Sequence, residues 1–207
     1  MVRLIDLLFP KNCAGCYVEG SWICPKCYRG LTQKQQKIIK KSIYINRIYS
    51  LFLYNDKTVD NILHRFKYLG IKDYAEVLAR LIFNKNKWLK DGDYYLVPVP
   101  IHRAKERIRG YNQTYFIATA LAEISKSHLL DIVLKKYPTK SQTKLTKQER
   151  KVNIKGSFEL IDKSAIEGRK IIIIDDVITT GATLNEAAKQ IQKGKPQEIL
   201  AITVAVD

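Results

Sequence analysis

Residues 171–183 read IIIIDDVITTGAT. Four isoleucines run without a break into two aspartates, Asp175 and Asp176, and then into small and hydroxylated residues. A continuous apolar run is what a strand covered on both faces requires, as in a parallel sheet between helical layers. The carboxyl end of such a strand is where open α/β sheets hold their ligands. Val177 and Ile178 lead from the acids into Thr179, Thr180, Gly181, Ala182 and Thr183, which turn into a helix. Gly181 lets the backbone approach a ligand closely. The free N–H groups of the helix start, aligned with its dipole, favour an anion, and the threonine hydroxyls add donors. Two carboxylates beside an anion cradle suit sugar hydroxyls or a Mg²⁺ ion.

Two plainer readings compete. In one, solvated acids end a strand and Thr183 to Glu186 form a capping box; this leaves the paired acids and the run TTGAT unexplained. In the other, the acids end an ATPase strand, which requires a G-x-x-x-x-G-K-[ST] loop elsewhere. The nearest approach, Gly194-Lys195, is followed by Pro196.

Working outward, strand and helix signals alternate along most of the chain. Strands are expected at 47–54, 94–100, 128–136 and 198–206. Helices are expected at 56–68, 73–87, 112–126 and 182–193. Val59, Ile62, Leu63 and Phe66 fall on one face of the first helix. Asp73 and Asn112 are candidate N-caps. This alternation argues for an α/β fold with a mostly parallel sheet flanked by helices. The 207 residues, 46% of them hydrophobic, suit one ordinary domain with a small appendage. No apolar run approaches the roughly 18 residues of a membrane span, and the start lacks a signal peptide's apolar region and cleavage site. A cytoplasmic protein without membrane insertion is expected. The net charge is +16. It fits polyanionic partners, although a chain so rich in Lys, Ile, Asn and Tyr reaches a high pI through residue bias alone.

All four cysteines lie in the first 27 positions, as Cys13-x₂-Cys16-x₇-Cys24-x₂-Cys27. Two C-x-x-C knuckles point to one tetrahedral Zn²⁺. The seven-residue separation implies a compact knuckle. Disulfides fit poorly with a cytoplasmic protein, and an iron–sulfur cluster is the third option. Asn12, Gly15 and Gly20 favour tight turns, and Tyr17 and Trp22 are candidates to cover the site. The chain divides into a zinc-binding head, residues 1–32, and a body, residues 33–207. Such a head cannot bury its own core, so the metal supplies its folding energy.

Two stretches concentrate positive charge. In VPVPIHRAKERIRGYNQ (97–113), Arg103, Lys105, Arg107 and Arg109 surround a single acid, Glu106. Arginine suits phosphate bidentately, so this is a candidate pyrophosphate loop; the bland alternative is a solvated basic helix start. Residues 135–155 hold eight Lys or Arg against one acid, Glu149. A long polar connection of this kind is a lid, a nucleic-acid contact or a merely solvated loop. A short helix starting with Thr146 to Glu149 is expected within it.

The motif IIIIDDVITTGAT resembles the phosphoribosyl pyrophosphate (PRPP) loop of type I phosphoribosyltransferases. Joined in order with LLFPKNCAGC…CPKC, RGYNQ and TKSQTKLTKQER, it resembles the ComF competence-protein family over nearly the whole chain. Tyr111 stands where Phe is more usual, and Gly194 to Gln197 replace the small residues expected before the last strand. The resemblance implies a type I phosphoribosyltransferase-like domain with a zinc knuckle, acting in natural transformation, where DNA enters as a single strand. It implies PRPP binding by Asp175, Asp176, Val177, Thr179, Thr180, Gly181, Ala182 and Thr183. Within that set the two acids position the ribose, with Arg103 as a further catalytic candidate. Pyrophosphate or lid candidates are Arg103, Lys105, Arg107, Lys144 and Arg150. DNA-contact candidates are Lys135, Lys136, Lys140, Lys147 and Lys151. The implied cofactors are a structural Zn²⁺ and Mg²⁺ with PRPP. The implied partners are PRPP or a related ribose-phosphate, single-stranded DNA, a DNA-uptake helicase and a second copy of the chain. The competing functions are a nucleobase or amine phosphoribosyltransferase of salvage metabolism and a binding module with a vestigial pocket.

Overall fold

Ile171, Ile172, Ile173 and Ile174 are fully buried. They form the first half of a nine-residue strand at the centre of the sheet. A computed structural model describes residues 10–39, 42–137 and 154–207. In chain order the elements are α1 (Pro25–Gln33), β1 (Lys37–Ile39), β2 (Arg47–Leu53), α2 (Lys57–Tyr68), α3 (Tyr74–Lys85), β3 (Tyr94–Pro98), α4 (Arg103–Arg109), α5 (Gln113–Ser125), β4 (His128–Leu129), β5 (Val133–Lys135), β6 (Phe158–Leu160), β7 (Lys170–Ile178), α6 (Ala182–Ile191) and β8 (Glu198–Val206).

The main sheet runs β1-β2-β8-β7-β3-β4. Only β1 is antiparallel to its neighbour. Strands β5 and β6 form a separate antiparallel pair. One face of the sheet carries Ile172, Ile174 and Ile202 against Phe66, Leu78, Leu81, Ile117 and Leu121 from α2, α3 and α5. The other carries Ile171, Ile173 and Ile199 against Val133, Phe158, Leu184 and Ile191. Both faces are covered, which is why the isoleucine run has no polar interruption. Among the described residues no helix is long and apolar enough to cross a membrane.

Several expectations shift. The central strand does not stop at the acids: Asp175 lies opposite Thr203 and Ile178 opposite Val206. The long partner β8 keeps the backbone paired, whereas β3 ends at Pro98, opposite Ile174. The acids therefore sit where one neighbouring strand has left and the other continues. The expected strand 128–136 is two strands. Residues 128–129 pair with β3, and 133–135 pair with β6. Asp73 precedes α3 without capping it; its carboxylate instead accepts a bond from the Trp22 indole at 2.7 Å. Asn112 does cap α5, accepting from the Thr114 N–H. The basic stretch after β3 completes a helix of its own, α4, capped by His102 and closed by Gly110 at φ +84°.

Candidate functional site

Asp175 and Asp176 are adjacent on β7 and differ in environment. Asp175 is 8% exposed, and one of its oxygens accepts the Asp176 N–H at 2.8 Å. Burial, reinforced by the charge of Asp176, pushes the Asp175 carboxyl up to about 7, against the pull of the Asp176 N–H, Lys67 and Lys135. The Asp176 carboxylate lies 2.6 Å from Lys67 Nζ, and both side chains are 19% exposed. Burial would lower the Lys67 pKa, but the charge and hydrogen bond of Asp176 outweigh it and the net shift is upward.

Lys67 was missed in the sequence. A signal was present: it lies four residues after Leu63 and so shares an edge of the apolar stripe of α2. Its position is fixed by the RGYNQ stretch. Tyr111 is buried, its ring lies 5.6 Å from that of Phe66, and its hydroxyl donates to the Phe66 carbonyl. This gives Tyr111 a role that Phe could not fill. It ties the start of α5 to the last turn of α2, next to Lys67.

Beyond the acids the chain turns through Thr179 and Thr180 to Gly181. This glycine, at φ +72°, is the N-cap of α6 and supplies no side-chain cap bond. The Ala182 N–H points to the Thr180 hydroxyl at 3.4 Å, and the Asn185 amide donates to the Gly181 carbonyl at 3.0 Å. The helix starts with Gly181 as its N-cap, two residues before the expected capping box at Thr183 to Glu186. Glu186 instead accepts from the Gly156 N–H and the Gln190 amide. The cleft among Asp175 and residues 177–184 has a volume of about 10 Å³, room for roughly one water.

A larger cavity of about 340 Å³ lies between α4 and β5. Its lining includes His102, Arg103, Glu106, Asn112, Tyr115, Asp131, Lys135 and Lys136. Lys135 is half-buried; burial, with the charge of Lys105 beside it, brings its pKa down to about 8, while Asp175 pulls the other way. Burial and Arg109 likewise lower Lys105, and burial raises the Asp131 carboxyl. Lys105 and Lys135, singled out for different roles, are thus neighbours in one electrostatic cluster with Asp175. Arg103 and Lys136 line the same cavity; Arg107 stands exposed on α4. Lys140, Lys144, Lys147, Arg150 and Lys151, and the expected helix at Thr146 to Glu149, lie outside the described residues.

In the head, the four cysteine sulfurs lie within 4.8 Å of one another. The Cys16 and Cys24 sulfurs are 3.6 Å apart. A disulfide needs about 2.05 Å, whereas a zinc–thiolate tetrahedron with arms of ~2.3 Å has edges of about 3.8 Å. Backbone donors surround the cluster: Gly15 and Cys24 N–H point to the Cys13 sulfur at 3.4 and 3.3 Å. Burial would raise the Cys13 thiol, but donors from Cys24, Gly15 and Cys16 bring it down to about 6. Gly15 has to be glycine here, since a Cβ would come within 2.7 Å of the Cys27 sulfur. The donor set and spacing fit a tetrahedral metal. Of the two expected covers, Trp22 packs on Tyr74 with ring centroids 6.0 Å apart, and Tyr17 stays exposed under Arg65. The head docks on the body through Asn61 to the Ala14 carbonyl, Arg65 to the Asn12 carbonyl and Trp22 to Asp73.

The phosphoribosyl transferase domain family matches residues 115–207, the segment that contains the acid pair and the cradle. Competence protein ComFC of Bacillus subtilis is 31% identical, covering 98% of this chain and 88% of its own length. The chain belongs to the ComF family. Competence protein F of Haemophilus influenzae is 29% identical over 90% of this ComF-family chain and 81% of its own. DNA utilization protein YhgH of Escherichia coli is 28% identical over 62% and 58%. The family match begins inside α5, so the cysteine head, Lys67 and α4 belong to what surrounds the phosphoribosyltransferase segment.

Proposed function

We propose that this ComF-family protein is a cytoplasmic competence factor that binds PRPP, or a related ribose-phosphate, together with single-stranded DNA. The observation that carries the PRPP half is the acid pair on β7 beside a glycine-opened turn at a helix start. In this reading Asp175 and Asp176 accept the ribose hydroxyls. The N–H groups and hydroxyls from Thr179 to Thr183 hold the 5′-phosphate. Arg103 and Lys105 face the pyrophosphate, whose charge a Mg²⁺ ion bound with PRPP would help to neutralise. Lys67 yields Asp176 to the sugar and stays within reach of the phosphates. The cysteine cluster holds a structural Zn²⁺, with all four thiols drawn into the thiolate form.

The names of the relatives, which speak of competence and DNA utilization, support the DNA half. So does the charge of +16. Backbone-tracking binding of this kind weakens steeply with salt. A DNA-uptake helicase and a second copy of the chain are the protein partners that belong to this reading.

The direct test is calorimetric titration of Mg²⁺–PRPP into zinc-loaded protein. Micromolar binding is expected, weakened at least about tenfold in the Asp175→Asn/Asp176→Asn double variant. Well-folded wild-type protein that takes up no PRPP overturns the reading. A second reading is phosphoribosyl transfer. An acceptor in the 340 Å³ cavity would attack the anomeric carbon as pyrophosphate leaves. That cavity, with Lys135 and Asp131 on its wall, favours it. Pyrophosphate release in a screen of nucleobases and amines is its test.

A further inference from the structure

Helix α4 is anomalous. It buries none of its seven residues. Ile108 is 89% exposed, and the helix carries Arg103, Lys105, Arg107 and Arg109 against one acid, Glu106. A helix this short has no stability of its own, and this one has no apolar face to anchor it. Only its ends are fixed, by His102 and by the Gly110–Tyr111 corner.

Beside it lies a group of exposed rings. Tyr68, at the end of α2, is 67% exposed. The Arg109 guanidinium sits over its ring at 5.7 Å, and the exposed His64 ring lies 5.0 Å from it. Tyr54, also exposed at the end of β2, has its pKa raised by partial burial and by the neighbouring Asp60, to which it is hydrogen-bonded, and lies within electrostatic reach of Lys67 and Tyr68. The rings and the cations thus form one patch along the carboxyl end of the sheet, and Lys67 joins it to Asp176.

Charge complementarity decides the class of partner. A surface with this excess of Arg and Lys calls for a polyanion. Flat rings held open between cations call for a polyanion with exposed aromatic faces. A duplex hides its base faces, whereas a single strand offers them. We infer that Tyr54, His64, Tyr68 and the outer face of α4, with Arg107 and Arg109, form the track on which single-stranded DNA lies, bases on the tyrosines and phosphates on the arginines. This rests on the DNA-binding half of the proposed function and assigns it a surface.

The experiment is fluorescence anisotropy of a labelled oligothymidylate, with a hairpin duplex as comparison, across a salt series. The full chain, the Tyr54→Ala/Tyr68→Ala variant and Arg107→Ala are compared. The tyrosine variant is expected to lose about tenfold or more in single-strand affinity, with its salt slope unchanged. Its duplex binding should not move. Arg107→Ala is expected to reduce the salt slope by about one. Melting temperature shows that both variants are folded, and PRPP binding, which does not involve these tyrosines, confirms it for the tyrosine variant. Single-strand affinity equal to wild type in the tyrosine variant overturns the track. Absence of single-strand binding by the wild-type chain is a different result. It removes the DNA half of the proposed function, and the track with it, before any variant is made.

Discussion

The cysteine head and the acid pair on β7 handle charge in opposite ways. At the head, four sulfurs converge within 4.8 Å, and backbone N–H groups point at them from within the same short segment. Every component comes from residues close in sequence. At the carboxyl end of β7, two like charges sit side by side, and the groups that balance them come from elsewhere: Lys67 from α2 and Lys135 from β5. The head is built as a local chelate would be. The acid pair is a balance struck by tertiary structure. A local chelate stands or falls with one ion, whereas a tertiary balance can be adjusted one partner at a time.

The first consequence is the largest. A structural zinc contributes on the order of 10–16 kcal/mol to folding of a small domain, and among the described residues of the head the buried hydrophobics are Cys13, Ala14 and Leu31. Removing the metal with a chelator should release one equivalent of zinc. It should also leave the amides from Asn12 to Tyr28 open to hydrogen exchange, while those of β7 and β8 stay protected. If the head amides remain protected without metal, docking on α2 and α3 holds the head, and the contrast between the two sites weakens.

The same contrast explains what the sequence disclosed. The knuckles were legible because a chelate is written in local spacing, and β7 was legible because burial on both faces demands an unbroken apolar run. The extension of β7 past the acids was not, since it depends on the length of β8 and the early end of β3 at Pro98. The division of 128–136 was hidden for a similar reason. His128–Leu129 and Val133–Lys135 are equally strand-like, and only their partners, β3 and β6, separate them. Helix α4 has no apolar periodicity to betray it; its caps make it. Lys67 is the most instructive omission. Its meaning lies in a contact with Asp176 that exists only once α2 has packed on the sheet.

That contact can be broken from either side. Truncating Lys67 to Met leaves Asp176 unpaired beside Asp175 in a largely dry site. Breaking a buried pair by removing one partner costs 3–5 kcal/mol. With both side chains 19% exposed, a loss of about 2–3 kcal/mol is expected, read from urea denaturation. Adding Asp176→Asn to the Lys67→Met variant should restore most of it, because the unpaired charge is then gone. A non-additive cycle of this kind isolates the pair. Additive losses would mean that Lys67 contributes by packing its stem rather than by balancing the acid.

The smallest effect comes from Asp175 itself. Its carboxyl titrates near 7 in the folded protein against 3.8 as the ordinary value. The folded state therefore binds more protons than the unfolded state between about pH 4 and 7, and this group makes stability fall as pH rises through that window. Asp175→Asn removes the penalty. Asparagine can still accept the Asp176 N–H, so the variant should be more stable than wild type at pH 8 by at least about 1 kcal/mol. Most of the advantage should be gone at pH 4, where the folded wild-type carboxyl is protonated and the unfolded one has begun to take up its proton. Ligand binding should show the opposite slope. Hydroxyl donation to Asp175 needs the carboxylate, so Mg²⁺–PRPP affinity should rise as pH passes through about 7, and the asparagine variant should lack that rise. A stability gain that persists unchanged to pH 4 would falsify the assignment of the strain to Asp175 and move it to Asp176 and its partner. A gain confined to high pH means that the site stores unfavourable energy in one carboxylate, which a sugar hydroxyl or a metal can then relieve.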